Sequence, residues 1–431
     1  MPTSPAPTAP TLARASDAPS AAASPLASSL AHVARGNTCA GCGACAALAA
    51  GKVRMTVADP GFLRPLQTAP LTPAEDEAIW RVCPGLTENV ETEGRQDHVL
   101  WGPYVSMHTA WASDPEMRHA GASGGTLSAI LLHLVESGTV DAVIQTTAAS
   151  DFALGNATVV TTDRAGVLAS AGSRYAPSAP LADLHERLAE HQLTGRRFAF
   201  VGKPCDAAAM AALREIDPQV ARAVPVILSF FCAGVPSHAG GRAVLAALGA
   251  EEARTRSFRY RGNGWPGRAT AVLQDGTERS MTYHESWGRI LSKHVQHRCK
   301  ICPDGHGALA DIVCADAWES DENGYPLFEE QPGVSLVIAR TALGERLLNE
   351  ACAKGRVETG PFDVDDLVAI QPGQRERRRA LAARLLALRI AGRPVPRYRG
   401  LHLLAAARQN SVRKNVTNFL GMIRRTVMRR A

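Results

Sequence analysis

Residues 37–45, N-T-C-A-G-C-G-A-C, are the stretch from which the rest of this chain can be interpreted. Cys39, Cys42 and Cys45 follow the spacing C-x2-C-x2-C, which turns the backbone back after each cysteine and directs three thiolates towards one metal centre. The two intervening glycines permit the tight backbone conformations that such a loop needs. The stretch therefore predicts a metal-binding loop.

A fourth ligand has to come from elsewhere in the chain. In bacterial ferredoxins the same run continues with three residues and a Cys-Pro pair, but Ala49 stands at that position here. The next cysteine is Cys83, and a proline follows it. We interpret Cys39, Cys42, Cys45 and Cys83 as the ligands of one 4Fe-4S cluster. A four-thiolate zinc site is the alternative, because C-x2-C pairs are also typical of zinc.

The composition is that of a folded protein, with 45% hydrophobic residues among 431. This length corresponds to about three domains, or to one large core with appendages. Ten cysteines and no recognisable signal peptide predict a cytoplasmic protein whose thiols bind metal and do not form disulfides. No apolar run approaches the roughly 20 residues of a membrane-spanning helix.

Charge is distributed unevenly along the chain. Residues 371–431 carry sixteen Lys and Arg and a single acidic residue, whereas residues 1–370 carry 31 basic and 40 acidic residues. The tail is thus strongly basic and the body mildly acidic, so we expect them to face different partners, with no nucleic acid among them.

Composition and pattern divide the chain into four segments. Residues 1–36 are rich in Ala, Pro and Ser and are predicted to be disordered. Residues 37–100 form an N-terminal iron–sulfur segment. Residues 101–370 alternate strands with helices, which predicts an α/β domain with a mixed or mainly parallel sheet flanked by helices. Residues 371–431 form a basic helical tail.

A glycine-rich turn precedes a predicted helix in the α/β segment. Residues 121–125, G-A-S-G-G, lie before an apolar stretch at 126–136. Backbone N–H groups and the helix dipole at such a turn suit a phosphate or pyrophosphate. The motif is neither the dinucleotide fingerprint nor a P-loop, so a plain connection or a nucleophilic serine at Ser123 are alternatives.

A strand followed by a cysteine occurs twice. Cys205 follows the predicted strand at 197–201, and Cys232 follows the apolar run at 224–231. Parallel neighbours would place both at one edge of the sheet, although each could also be a small buried residue. Cys299 and Cys302 add a C-x2-C pair with a following proline. These four cysteines suffice for a second cluster, which leaves Cys314 and Cys352 as structural residues.

Two further segments leave alternatives open. Residues 258–267 alternate arginines with aromatic residues, which suits either stacking on a ring and pairing with a phosphate or an edge strand with a solvated charged face. In the tail, Val416, Phe419, Leu420, Ile423 and Val427 share one helical face. This helix would lie peripherally on an anionic membrane, bind an acidic partner, or dock as an ordinary terminal helix.

Taken in order, these motifs resemble the beta-subunit family of coenzyme F-420 hydrogenase and formate dehydrogenase. That family includes the ferredoxin-dependent 8-vinyl reductase of chlorophyllide and 7-hydroxymethyl chlorophyll a reductase. The resemblance covers residues 38–337 and rests on C-A-G-C-G-A-C at Cys39, G-A-S-G-G at Gly121, G-S-R-Y at Gly172, V-G-K-P-C at Val201, F-F-C-A-G at Phe230, R-Y-R-G-N-G-W at Arg259, and R-C-K-I-C-P-D with a following A-D-I at Arg298. Cys314, where the family usually has glycine, and the basic tail depart from the pattern.

The resemblance implies an α/β flavoprotein with FAD and one or two 4Fe-4S clusters. It maps the flavin onto Gly121, Ser123, Gly124, Gly125, Ser173 and Tyr175, and the second cluster onto Cys205, Cys232, Cys299 and Cys302. It also implies an oxidoreductase that takes electrons from a ferredoxin-type donor and reduces a small organic molecule at FAD. Electron exchange with coenzyme F-420, a non-catalytic electron-wiring subunit of a larger complex and a zinc-bound scaffold are the alternatives. No residue is assigned as catalytic.

Overall fold

An eight-stranded mixed sheet forms the centre of the computed structural model, which describes residues 26–317 and 330–428. The strands are β1 Val53–Ala58, β2 Phe62–Gln67, β3 Thr87–Asn89, β4 Gln96–His98, β5 Gly102–Tyr104, β6 Ser106–Ala112, β7 Ala142–Ala148, β8 Asn156–Thr161, β9 Phe198–Gly202, β10 Val226–Phe230, β11 Thr255–Arg259, β12 Arg268–Leu273, β13 Glu278–Thr282, β14 Ile312–Asp316, β15 Ser335–Ala339, β16 Val357–Pro361 and β17 Arg397–Arg399.

Helices connect and cover these strands. They are α1 Ser28–Gly36, α2 Ala44–Leu48, α3 Pro73–Val82, α4 Pro115–Ala120, α5 Thr126–Glu136, α6 Arg164–Ala169, α7 Leu184–Thr194, α8 Pro204–Ile216, α9 Pro218–Ala223, α10 His238–Ala247, α11 His297–Lys300, α12 Ala342–Ala353, α13 Leu367–Ile370, α14 Pro372–Ile390, α15 Leu403–Arg408 and α16 Val412–Met428. Short 3-10 turns span Glu252–Arg254, Leu291–His294 and Val364–Asp366, and a π-helix spans His284–Ile290.

The strand order in the central sheet is β16-β6-β15-β14-β10-β9-β7-β8. The four strands β14, β10, β9 and β7 are parallel neighbours, whereas the flanking strands pair antiparallel. The predicted α/β fold with a mixed sheet and flanking helices is therefore confirmed.

Burial on both faces explains why the central strands are continuous apolar runs. In β9, Phe198 and Phe200 point to one side and join the cluster that contains Met210 of α8. Ala199 and Val201 point to the other side, together with Leu131 of α5. The helices cover both faces, so the edge formed by the strand ends remains for a site.

The N-terminal iron–sulfur segment has its own small apolar cluster, and it corrects one prediction. Disorder was predicted for residues 1–36, but α1 is a helix in which Leu30 and Val33 are buried. Its Ser29 hydroxyl and backbone N–H both bond the carboxylate of Asp76 in α3. Two bulky residues at helical spacing are enough to dock an alanine-rich helix, which composition alone did not show. Residues 1–25 lie outside the described part.

The basic tail packs against the second cysteine pair and is not a separate unit. Ile301, which lies between Cys299 and Cys302, is buried against Leu381 and Leu388 of α14 and Met422 of α16. Within the described ranges, no helix is both long and apolar enough to cross a bilayer.

A change in α14 tests whether the tail belongs to the core. Leu381 is fully buried, whereas Leu386 on the same helix is 52% exposed. We expect Leu381→Ala to lower the free energy of unfolding by about 2–5 kcal/mol, because it leaves a cavity beside Ile301. Leu386→Ala should change it by about 0.5 kcal/mol or less. Urea denaturation of both variants checks this, and an unchanged main transition in the first would contradict integration of the tail.

Candidate functional site

The first cysteine group surrounds a small cavity in the N-terminal segment. Cys39, Cys42, Cys45 and Cys83 line it together with apolar side chains, among them Val33. Cys83 is the residue after the last turn of α3, whose first turn is fixed by reciprocal bonds between the Thr72 and Glu75 side chains and backbone N–H groups. Helix α3 therefore carries the fourth thiol to the three in the loop.

The second cysteine group lies at the edge where the parallel strands end. Cys205 follows β9 in the first turn of α8, and Cys232 follows β10, which pairs parallel with β9. Cys299 and Cys302 border the same small cavity. The backbone N–H of Val235 donates to Cys299 Sγ over 3.4 Å. The structure thus brings together the four cysteines that the resemblance assigned to a second cluster.

Four thiols border a cavity in each cysteine group. In the described part of the chain, no three His, Cys, Asp or Glu side chains are arranged to hold one ion. Four thiolates can also bind a single zinc ion, so the metal content of the protein separates zinc from an iron–sulfur cluster. Burial raises the pKa of Cys83 and of Cys232 to about 12, so these thiols carry protons until a metal displaces them.

One buried segment connects the two groups. The side-chain amide of Gln296 donates to the carbonyl of Ala40 in the first loop over 3.2 Å. Arg298 is 2% exposed, and its Nη2 donates to the carbonyl of Pro84 over 2.9 Å and to Glu88 Oε2 over 3.1 Å. Residues 296–302 therefore belong to the second group and also brace the loops of the first.

Arginines from the tail hold the loops of the second group, a role that sequence reasoning missed. Arg377 Nη2 donates to the Cys232 carbonyl over 2.8 Å, and Arg384 Nη1 donates to the Lys300 carbonyl over 2.9 Å. Arg378 Nη1 bonds the Pro303 carbonyl. The available signal was the helical spacing of Leu381, Leu385 and Leu388 in the same stretch, which is typical of a docked helix face.

A deep cleft opens beside the second group. Its walls include five of the six residues that the resemblance assigned to the flavin: Gly121, Ser123, Gly125, Ser173 and Tyr175. Gly124 faces away from it, because a Cβ there would lie 2.7 Å from the carbonyl oxygen of Ala110. Gly124 is therefore a packing glycine, and it is not a residue of the cleft wall.

Arg261 lines the cleft. The sequence left open whether its segment contacts a ligand or is exposed to solvent. Arg261 lies between the rings of Trp265 and Tyr283, 4.8 and 4.7 Å from their centroids, and its Nη1 donates to Asp316 over 2.7 Å. The alternative of a solvated charged face fits Arg259, which is exposed on β11, but not Arg261, which is buried. Segment 258–267 thus has one exposed and one buried arginine.

Three buried polar atoms at the cleft lack a hydrogen-bond partner among the described residues. They are Arg261 Nη2, Asp206 Oδ1 and Thr126 Oγ1. Asp206 is the partner of Lys203, whose Nζ lies 2.6 Å from Asp206 Oδ2 and 2.8 Å from Ser178 Oγ. Since buried polar groups are normally bonded, these atoms indicate that the cleft is built for a polar ligand.

Cys232 borders both the cleft and the cavity of the second cysteine group. The other side of that cavity reaches Ala40 of the first loop. The first group, the second group and the cleft therefore follow one another through the protein, and the cleft is in contact with a candidate cluster ligand.

Comparison with known proteins identifies the family of this chain. Residues 107–185 match the N-terminal model, and residues 195–365 the C-terminal model, of the coenzyme F-420 hydrogenase/dehydrogenase beta subunit. The chain belongs to this family. The matched ranges contain most of the sheet, most of the cleft and the whole second cysteine group. Membership makes the chain an oxidoreductase-related protein. The first group and the tail lie outside the matched ranges.

Two relatives illustrate the similarity. The chain is 25% identical over 288 residues to the coenzyme F-420 hydrogenase subunit beta of Methanococcus voltae, covering 63% of this chain and 88% of that protein. It is also similar to a chain in the F-420-reducing NiFe hydrogenase complex of Methanosarcina barkeri, with 21% identity, a TM-score of 0.48, and 69% of this chain and 94% of that chain covered.

The metal content tests the two groups. We expect anaerobically purified protein to contain about eight iron atoms per chain, the stoichiometry of two 4Fe-4S clusters. Cys205→Ser should lower this to about four, because it removes one ligand of the second group. Cys352→Ser, in α12, is the matched control and should keep the full content. Iron analysis and EPR spectroscopy measure both, and stoichiometric zinc without iron would contradict the assignment.

Proposed function

We propose that this chain is the flavin- and iron–sulfur-carrying subunit of an oxidoreductase that exchanges electrons between one-electron carriers and coenzyme F-420. The observation that carries the proposal is the position of Cys232, which borders both the cleft and the second cysteine group. A two-electron site and a one-electron site would thus be in contact.

The family comparisons favour coenzyme F-420 over the ferredoxin-fed reduction of another organic molecule, which the sequence analysis placed first. Both family models and the Methanococcus relative bear the name of that coenzyme. Electron exchange with coenzyme F-420, which was an alternative from the sequence alone, is therefore the better supported function. A ferredoxin-type protein remains a candidate for the one-electron side, and a wiring subunit within a larger complex remains an alternative to independent turnover.

Hydrogen-bond donors in the cleft support the proposal of a dinucleotide flavin. The turn at 121–125 leads into α5, an 11-residue helix whose first N–H groups suit a pyrophosphate. The chain brings a second segment beside this turn, since the backbone N–H of Gly264 donates to the His119 carbonyl over 2.7 Å. Arg261 belongs to that segment, and its unpaired Nη2 suits a phosphate or a ring carbonyl.

Aromatic side chains supply a wall for a planar ring. The rings of Tyr175 and Trp287 are 4.8 Å apart, and Tyr283 lies 6.3 Å from Tyr175. Such a wall excludes water and orients a ring by stacking. Tyr175, Tyr283 and Trp287 would hold the ring, and a flavin bound there would supply the exchange between two-electron and one-electron chemistry.

Flavin retention tests the cleft. Ala122 lines the cleft, so Ala122→Asp would place a carboxylate beside the phosphate position. We expect the purified variant to lose FAD, through like-charge repulsion and desolvation of the carboxylate. Ala148→Asp, at the exposed end of β7, is the control and should retain FAD. Absorbance of the released flavin measures both, and full FAD in Ala122→Asp would place the flavin elsewhere.

The reaction is tested by stopped-flow bleaching of the flavin. Reduced coenzyme F-420 should bleach it faster than NADPH does, because the G-x-G-x-x-G run at 262–267 connects the antiparallel strands β11 and β12 and does not lead into a helix, as a nicotinamide fingerprint does. Reduced ferredoxin should also bleach it, through the clusters. Bleaching by ferredoxin with none by reduced F-420 would favour the ferredoxin-fed reductase. Bleaching by neither, in protein that holds iron and FAD, would favour the wiring subunit.

A further inference from the structure

A basic cavity, separate from the cleft and from the cavities of the two cysteine groups, lies where the tail meets the cysteine loops. Its lining combines residues from α11, α14, α16 and the loops beside them: Asn37, His297, Lys300, Leu388, Arg393, Met422, Arg425 and Thr426. Three of these residues carry a positive charge, and neither Asp nor Glu is among them. The cavity therefore presents concentrated positive charge to an incoming group.

Neighbouring residues add to this positive charge. Burial, followed by repulsion from Arg425 and Arg377, lowers the pKa of Arg384 to about 10. Arg384 Nε has no hydrogen-bond partner in the described ranges. Arg384, Arg377 and Arg425 repel one another, so an anionic group bound between them would stabilise this arrangement.

The cavity is directly outside both cysteine groups. Helix α11, His297–Lys300, contributes its first and last residues to the cavity and carries Cys299 between them. Asn37 lies two residues before Cys39. A molecule bound here would be separated from the candidate clusters by little more than the loops that hold their ligands.

The outer face of α16 continues the basic surface and adds apolar contacts. Phe419 and Ile423 pack inward with Met422, whereas Val416 and Leu420 are 49% and 57% exposed. The five apolar residues predicted to share one face are thus divided between a docked and an exposed side. Apolar residues with basic neighbours are typical of the centre and rim of a protein interface.

We propose that the basic cavity and the exposed face of α16 dock an acidic one-electron carrier protein, whose electrons enter or leave at the second cysteine group. This inference rests on the proposed function, because it requires the clusters. Carboxylate side chains of a protein can enter a concave cavity lined by Lys300, Arg393 and Arg425, which the plane of a lipid surface cannot. The acidic body of the chain would repel an acidic partner, whereas the basic tail would attract it.

The electron count fixes the stoichiometry of the exchange. Each reduced carrier molecule is oxidised by one electron, so two of them supply the two electrons that reduce one flavin. The accompanying protons come from solvent. In the opposite direction, one reduced coenzyme F-420 gives up two electrons and reduces two carrier molecules in succession.

Charge reversal at the cavity tests the inference. The double variant Arg393→Glu and Arg425→Glu is compared with Arg256→Glu and Arg289→Glu, which changes net charge equally at exposed positions on β11 and in the π-helix. We expect bleaching of the flavin by a reduced, acidic ferredoxin with a single iron–sulfur cluster to slow about tenfold or more in the first variant at low salt. The second should stay within about twofold of the unchanged chain. Bleaching by reduced F-420 should be the same in all three, since it acts at the cleft.

Several outcomes would overturn the inference without touching the proposed function. One such outcome is that the two variants react with ferredoxin at equal rates. Another is that the unchanged chain holds iron and FAD but does not react with ferredoxin. Flotation with vesicles of phosphatidylglycerol and phosphatidylcholine tests the lipid alternative. If only the Arg393→Glu and Arg425→Glu variant fails to float while it still reacts normally with ferredoxin, the surface binds lipid. Absence of iron and FAD from the unchanged chain would instead contradict the proposed function. Iron and FAD contents of each variant show that a slow rate is not a loss of cofactor.

Discussion

Parallel pairing of β9 with β10 is the constraint on which the candidate site depends. Because the two strands run in the same direction, the residues that follow them emerge at one edge of the sheet. One strand is followed by Lys203 and Cys205, and the other by Cys232. Strand β14, the next parallel neighbour, ends at Asp316, which holds Arg261 over 2.7 Å. The parallel pairing therefore places Lys203, Cys232 and the support of Arg261 at the cleft, and it places Cys205 with Cys232 at the cavity beside it.

Buried arginines provide the second level of organisation. Arg298 joins the two cysteine groups through the carbonyl of Pro84, and Arg340 donates to the carbonyls of Trp101 and His306 over 2.7 and 2.8 Å. Each loop carbonyl that accepts such a bond is fixed without a regular strand or helix. Guanidinium groups can do this because they present several donors in a rigid plane. They also place positive charge near thiolates, which favours the anionic form of the ligands.

Much of the fold could be predicted from the sequence, because it follows from local periodicity. The apolar stretch at 126–136 is the helix Thr126–Glu136, and the cysteines that follow two apolar runs do lie at one edge. What failed depends on tertiary contacts. Helix α1 is stabilised by packing of Leu30 and Val33, which a composition argument overlooks. The position of Gly124 against the Ala110 carbonyl and the burial of Arg261 depend on strands far away in the chain, so no local pattern could distinguish a wall residue from a packing residue.

The contact between α14 and the second cysteine group has a consequence for how the protein matures. Cys205, Cys232, Cys299 and Cys302 are all synthesised before Arg377, Arg378 and Arg384, which bond the loops around them. A nascent chain therefore presents a complete set of four thiols while the helix that covers them is still in the ribosome. Assembly factors would have access to the group during that interval, and docking of α14 would then close the route. A cluster that binds the second cysteine group would therefore be inserted most readily before α14 docks.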